Sequence, residues 1–225
     1  MIVESGFYAL SLVAFSLVIP ILKNGDQPKR LISNYIILGL VWLGYIIALS
    51  QTGVLNNFDF PPRVPLLIVT PCIVLIVFVT GRPSFKSVLK KTPLHLPVFL
   101  ISFRIFVELL IYGAYRNGIF PKRVTFEGLN FDVLVGLSSL IIGVLLVKKM
   151  LSLQALWIWN IISMLVLTLT MFSFVSAYYF TDWVASTGHD ELVRFPYLLL
   201  VSVLLPIAIF LHVFIIGQIV YVRQR

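Results

Sequence analysis

Long apolar runs alternate along the chain with short clusters of charged, Gly and Pro residues. The runs fall at roughly 6–22, 32–52, 64–81, 95–115, 131–148, 155–181 and 195–222. A helix needs about 20 apolar residues to cross a hydrocarbon core about 30 Å thick, and each run is close to that length. The last two are longer and are expected to tilt or protrude. The pattern predicts an all-α, polytopic membrane protein, a single transmembrane domain of seven helices over residues 1–225.

Composition strengthens this reading. The chain is 60% hydrophobic and 12% charged, with a mean hydropathy of +1.03. A soluble domain of this length could not hide so much apolar surface. No loop between the runs is long enough to fold as a domain, which excludes soluble extramembrane catalysis.

Charge sets an expected orientation. With the N-terminus outside, the inner loops and tail hold Lys23, Lys29, Arg30, Arg82, Lys86, Lys90, Lys91, Lys148, Lys149, Arg223 and Arg225. The outer side holds Arg63, Arg116, Lys122, Arg123 and Arg194, and Arg104 lies within a span. This bias predicts N-out, C-in. The net charge of +8 is then a topology signal, with the lipid bilayer rather than nucleic acid as the partner. "MIVESG" lacks the basic region of a cleaved signal peptide, so the first helix is expected to remain. The single Cys72 excludes an internal disulfide and a Cys-cluster metal site. No Asn-x-Ser/Thr sequon occurs, which is compatible with a bacterial inner membrane.

A faint repeat runs through the apolar pattern. "FPPRVPLLIVTP" (60–71) opens the third run and "FPYLLLVSVLLP" (195–206) opens the seventh, each Phe-Pro followed nine residues later by Pro. "FYAL" (7–10) is matched by "FDVL" (131–134), and "NYII" (34–37) by "NII" (160–162), in the same order. The expected plan is a parallel 3+1+3 duplication: repeat 1 over 6–81, a connector helix over 95–115 and repeat 2 over 131–222. Parallel repeats occur in transporters, with the substrate site near mid-membrane between them. Pro71 and Pro206 would each free a helix carbonyl for a neighbour or a ligand.

Polar residues inside the runs are the candidate chemistry. Arg104 and Glu108 lie at i, i+4, about 40° apart around the helix and about 6 Å along it, so they can pair on one face. A charge facing lipid costs at least about 2.5–3.5 kcal/mol, so this face must meet protein or a wet cavity. His212 lies midway along the seventh run, six residues after Pro206. Asn160 can hydrogen-bond a neighbouring helix or line a cavity with Asn34, and the flanking Trp157 and Trp159 fit an interfacial belt. The connection "RNGIFPKRVTFEGLNFD" (116–132) crowds Glu127, Asn130 and Asp132 together with three basic residues. Asn130 or Asp132 is a natural N-cap for the fifth helix. Glu127 is expected to pair with Arg123 or with a basic residue at the outer end of another helix, as part of a polar lid. Gly39, Gly44, Gly136 and Gly143 are expected to be close helix contacts.

"FRIFVELLIYGAYRNGIFPKRVTFEGLNFDVLVG" (103–136) and "FPYLLLVSVLLPIAIFLH" (195–212) resemble a group of small bacterial seven-helix membrane proteins. These share an Arg…Glu pair in helix 4, a Phe-Glu-Gly-x-Asn-Phe-Asp segment and a late Pro…His. That family carries no assigned activity, so the resemblance implies no function. It emphasises Arg104, Glu108, Glu127, Asn130, Asp132 and His212. More distantly, the plan resembles microbial rhodopsins and the SWEET or PQ-loop transporters. Every lysine lies in or beside a loop, so a retinal Schiff base is excluded. No second His pairs with His212 for a haem, and no zinc motif occurs, so no cofactor is expected.

Three functions follow as expectations. The first is a carrier or channel-like protein for a small solute, ion or proton, with Arg104, Glu108, Glu127, Asn130, Asp132, Asn160 and His212 along its path. The second is a non-transporting receptor or subunit, with a lipid, a membrane protein or a second copy as partner, whose polar residues are structural. The third is an intramembrane enzyme using Glu108 or His212 as acid–base.

Overall fold

In the computed structural model residues 2–223 are described, with the side chains of 222 and 223 outside the described part. Arg225 and the Arg223 side chain, which entered the orientation count, lie outside it. Every regular element among the described residues is helical. The main ones are α1 (Ile2–Leu22), α2 (Pro28–Gln51), α3 (Pro65–Thr80), α4 (Pro83–Lys91), α5 (His95–Arg116), α6 (Asp132–Val147), α7 (Leu153–Tyr179) and α8 (Leu200–Leu204 continuing as Leu205–Arg223).

Five of these, α1, α2, α5, α7 and α8, are long and apolar enough to cross a membrane. A sixth crossing is formed if α3 and α4 count together, but they meet at 80°. The bend follows from composition. Gly81-Arg82-Pro83 ends the apolar run, and Pro83 cannot continue the helix bonding of α3. In α4, Phe85 and Val88 are buried, the Phe85 ring edge-on to Phe214 of α8, while Lys86, Lys90 and Lys91 are exposed. Helix α4 is thus an amphipathic shelf rather than the end of a span. Gln218 of α8 donates to the Leu89 and Thr92 carbonyls at 3.2 and 2.6 Å, and Lys91 Nζ donates to Asp26 Oδ1 at 2.6 Å. That bond and the ammonium charge hold the exposed Asp26 carboxyl below its usual range.

Helix α6, with 16 residues, falls short of the length of the five. At 1.5 Å per residue it covers about 24 Å. The loop before it is itself buried at Phe120, Val124, Thr125 and Asn130. Irregular backbone is tolerated at membrane depth when protein buries it. Helix α6 packs tightly on α5. A Cβ on Gly136 would lie 2.7 Å from Ile105 Cγ1, and one on Gly143 would lie 2.5 Å from Phe99 Cε1. Gly39 likewise sits on the Phe15 ring, but Gly44 meets nothing within 4 Å, so it is not the close contact expected.

The two Phe-Pro segments adopt the same local form. Both peptide bonds are cis, and both segments lead into a π-helical turn, Pro65–Val69 in α3 and Leu200–Leu204 in α8. Pro71 and Pro206 have no N–H for the carbonyls four residues back, Leu67 and Ser202. Both carbonyls find donors on one helix, α2. Tyr45 Oη donates to Leu67 O at 2.8 Å, and Trp42 Nε1 donates to Ser202 O at 2.8 Å. The freed groups are therefore taken by a neighbour, and α2 clasps both kinked helices with side chains one turn apart.

Candidate functional site

Helix α5 carries Arg104 and Glu108 on its buried face, only 2% and 1% exposed. They do not form the ion pair expected from their spacing. Arg104 turns instead to Asp132, the first residue of α6. Its Nε donates to Asp132 Oδ2 at 3.1 Å and its Nη2 meets Asp132 Oδ1. This side-on, two-point grip is the geometry in which guanidinium and carboxylate fit best. Asp132 is therefore not an N-cap but the first residue of α6, and Phe131 at the cap position makes no side-chain cap bond.

The third arm of Arg104 reaches α8, with Nη1 3.1 Å from His212 Nε2. A guanidinium only donates, so Nε2 must offer a lone pair. The ring proton is thereby assigned to Nδ1, which donates to Asn160 Oδ1 of α7 at 2.7 Å. Asn160 Nδ2 returns a bond to the His212 backbone carbonyl at 3.2 Å. His212 is thus neutral with both ring nitrogens occupied. Asn160 serves as helix-to-helix glue, whereas Asn34 is exposed and shares no cavity with it. Trp159 Nε1 also donates to a neighbouring helix, to Ser138 Oγ of α6 at 3.0 Å.

Asn130 joins the cluster to Glu108. Its Nδ2 donates to Glu108 Oε1 at 2.8 Å and to the Val124 carbonyl at 3.0 Å. Its Oδ1 accepts from the Asp132 N–H at 3.0 Å, which fixes the entry to α6. Thr170 of α7 places Oγ1 2.8 Å from Asn130 Oδ1 and 2.9 Å from Asp132 Oδ1. Thr170 is a member that the sequence did not reveal. Threonines in apolar helices usually bond their own turn, and this one also lies 3.1 Å from the Val166 carbonyl.

Glu127 stands apart from this cluster. It accepts from Tyr112 Oη at 3.0 Å and pairs with Lys122 at 3.5 Å, on the exposed side of the loop. Its partner is thus Lys122 rather than Arg123. The other six candidates form one continuous buried network with Thr170.

One oxygen of the network is left over. Glu108 Oε2 is buried and has no hydrogen-bond partner among the described residues. Glu108, Arg104, Asp132 and Thr170 form the polar wall of a cavity of about 90 Å³. Its remaining walls are mostly apolar: Phe103, Val107 and Ile111 from α5, Leu167, Met171 and Phe174 from α7, and residues of both π-helical turns. Val64, Pro65 and Val69 border it from one Phe-Pro segment, and Leu200, Val201 and Leu204 from the other. Asn160 and His212 support the wall from behind and do not line it. Arg104 and Asp132 cancel and His212 is neutral, which leaves Glu108 as the one acidic group of the cluster with no countercharge of its own.

No protein-family model, curated protein or solved structure matches the chain. Among the described residues no group of three or more His, Cys, Asp or Glu is placed to hold a metal ion.

Proposed function

We propose that this protein is a bacterial inner-membrane carrier for a small solute, with Glu108 as the group that meets the solute. It would cross the bilayer seven times, N-terminus outside, with α3 and α6 as its shorter spans. One observation carries the reading: Glu108, which lines a cavity walled largely by apolar groups, has a buried carboxyl oxygen without a partner among the described residues. Buried polar atoms are nearly always satisfied, so an unsatisfied one at a cavity wall calls for a ligand. Two features support a carrier over a fixed receptor. Both helices that border the cavity from the Phe-Pro segments are interrupted there by π-helical turns, a device frequent at functional sites. They are also corresponding helices of the expected duplication, which is where parallel-repeat transporters place substrate. The acid–base enzyme reading has weaker support, because His212 has no free ring nitrogen.

Reconstitution tests this. In proteoliposomes, a panel of small aliphatic solutes should include at least one that enters faster than into protein-free vesicles, with Glu108→Gln abolishing the difference. Binding without flux would favour the receptor. Flux indifferent to Glu108→Gln would remove the site from the pathway.

A further inference from the structure

We propose that the solute is a small monocation with an apolar body, of the alkylammonium type, and that it displaces the proton of Glu108 on binding. This rests on the carrier's cavity being the binding site. The charge count carries the proposal. The Arg104 guanidinium is ion-paired with Asp132 through Nε and Nη2 and meets His212 through Nη1, so the one cation of the cluster is committed. Asp132 is fully answered by that grip. Glu108 receives only the neutral Asn130 amide, on one oxygen.

The groups facing Glu108 allow no other compensation. Helix α5 contributes Arg104, α6 contributes Asp132, and α7 contributes Thr170 and Tyr179. Helix α8 contributes His212, which meets Arg104 instead, and the bordering turns of α3 and α8 are apolar. A lone buried carboxylate costs several kcal/mol, so Glu108 keeps its proton until a cation replaces it. An anion would stand beside two carboxyl groups. A neutral solute would leave Glu108 as it was.

The step balances simply. The O–H bond of the Glu108 carboxyl breaks, its proton leaves to water, and the carboxylate so formed pairs with R–NH₃⁺. No bond within the solute changes. Phe103 and Phe174 suit such an ion, since aromatic faces attract cations while contacting the alkyl chain. Size sets a limit. A cavity of roughly 150 Å³ holds benzene, so the space of about 90 Å³ here suits an apolar body of about four heavy atoms.

Isothermal titration calorimetry on the purified full chain tests this with three probes of equal heavy-atom count: butylammonium, butanol and propionate. Runs in two buffers of different ionisation enthalpy count protons. Butylammonium is expected to bind at least about ten-fold more tightly than the others, to release about one proton, and to gain up to about ten-fold in affinity per pH unit. Glu108→Gln should erase the preference and the proton release without lowering the melting temperature. The wild-type proton count needs no variant and stands even if Glu108→Gln folds poorly. Equal binding of butanol and butylammonium without proton release overturns the cation proposal and leaves the cavity reading intact. If none of the three binds, and the cavity-filling Ala208→Phe changes no measured flux, both fail.

Discussion

Replacing Arg104 by Met removes the only cation of the buried cluster and strands Asp132 and the lone pair of His212 Nε2. Breaking a buried ion pair from one side typically costs about 3–5 kcal/mol. Thermal unfolding in detergent should show a loss of that order. Arg104→Met combined with Asp132→Asn should be less destabilised than the sum of the two single changes, since neither charge is then left alone. Strict additivity would mean that the pair is not coupled. At this scale the residue types were legible in the sequence and their partners were not. Intramembrane charge marks Arg104 and Glu108 wherever they point. The choice of Asp132 over Glu108 as partner depends on where α6 begins. Asn130 bonds Glu108, eight residues before the end of α5, so α6 starts about 12 Å below that end. Nothing local in "EGLNFD" encodes that depth. Thr170 was silent because a threonine in an apolar helix satisfies itself.

At the scale of elements, the prolines decide the architecture around the cavity. Pro71 and Pro206 each leave a carbonyl without its helical donor, and α2 answers both. Trp42→Phe and Tyr45→Phe each remove one of these bonds while keeping an aromatic ring. Hydrogen bonds between membrane helices average about 0.6 kcal/mol, with a maximum near 1.7. Each variant should therefore lower the melting temperature modestly, and the solute flux of the wild type should fall as the kinked helices lose their clasp. If both variants keep wild-type melting and flux, α2 is not holding those helices. The sequence made the kinks and the freed carbonyls visible, because proline chemistry is local. It did not show that one helix serves both, since a Trp and a Tyr in an apolar run read as ordinary membrane residues. The shelf helix α4 was hidden for a related reason. A short basic segment reads as a loop until Phe85 and Val88 find α8.

For the whole molecule, the long apolar runs were legible because the bilayer imposes their length, while α6 proves only 16 residues long because the segment before it folds as a buried loop. Topology is testable directly. Single cysteines at Lys90 and Glu191, in a Cys72→Ser background, should react with a membrane-impermeant thiol reagent from opposite sides, Lys90→Cys from the cytoplasm and Glu191→Cys from outside. Labelling of both from one side would contradict the seven-crossing plan. The central claim is that the buried cluster divides into a structural network and a solute-facing carboxyl. The most direct measurement compares the thermal unfolding of Asp132→Asn and Glu108→Gln in the same detergent. Asp132→Asn should lose stability on the scale of a broken buried ion pair. Glu108→Gln, which keeps an acceptor for Asn130, should melt like wild type and lose only solute binding. Equal destabilisation of the two would contradict the division and make Glu108 part of the scaffold.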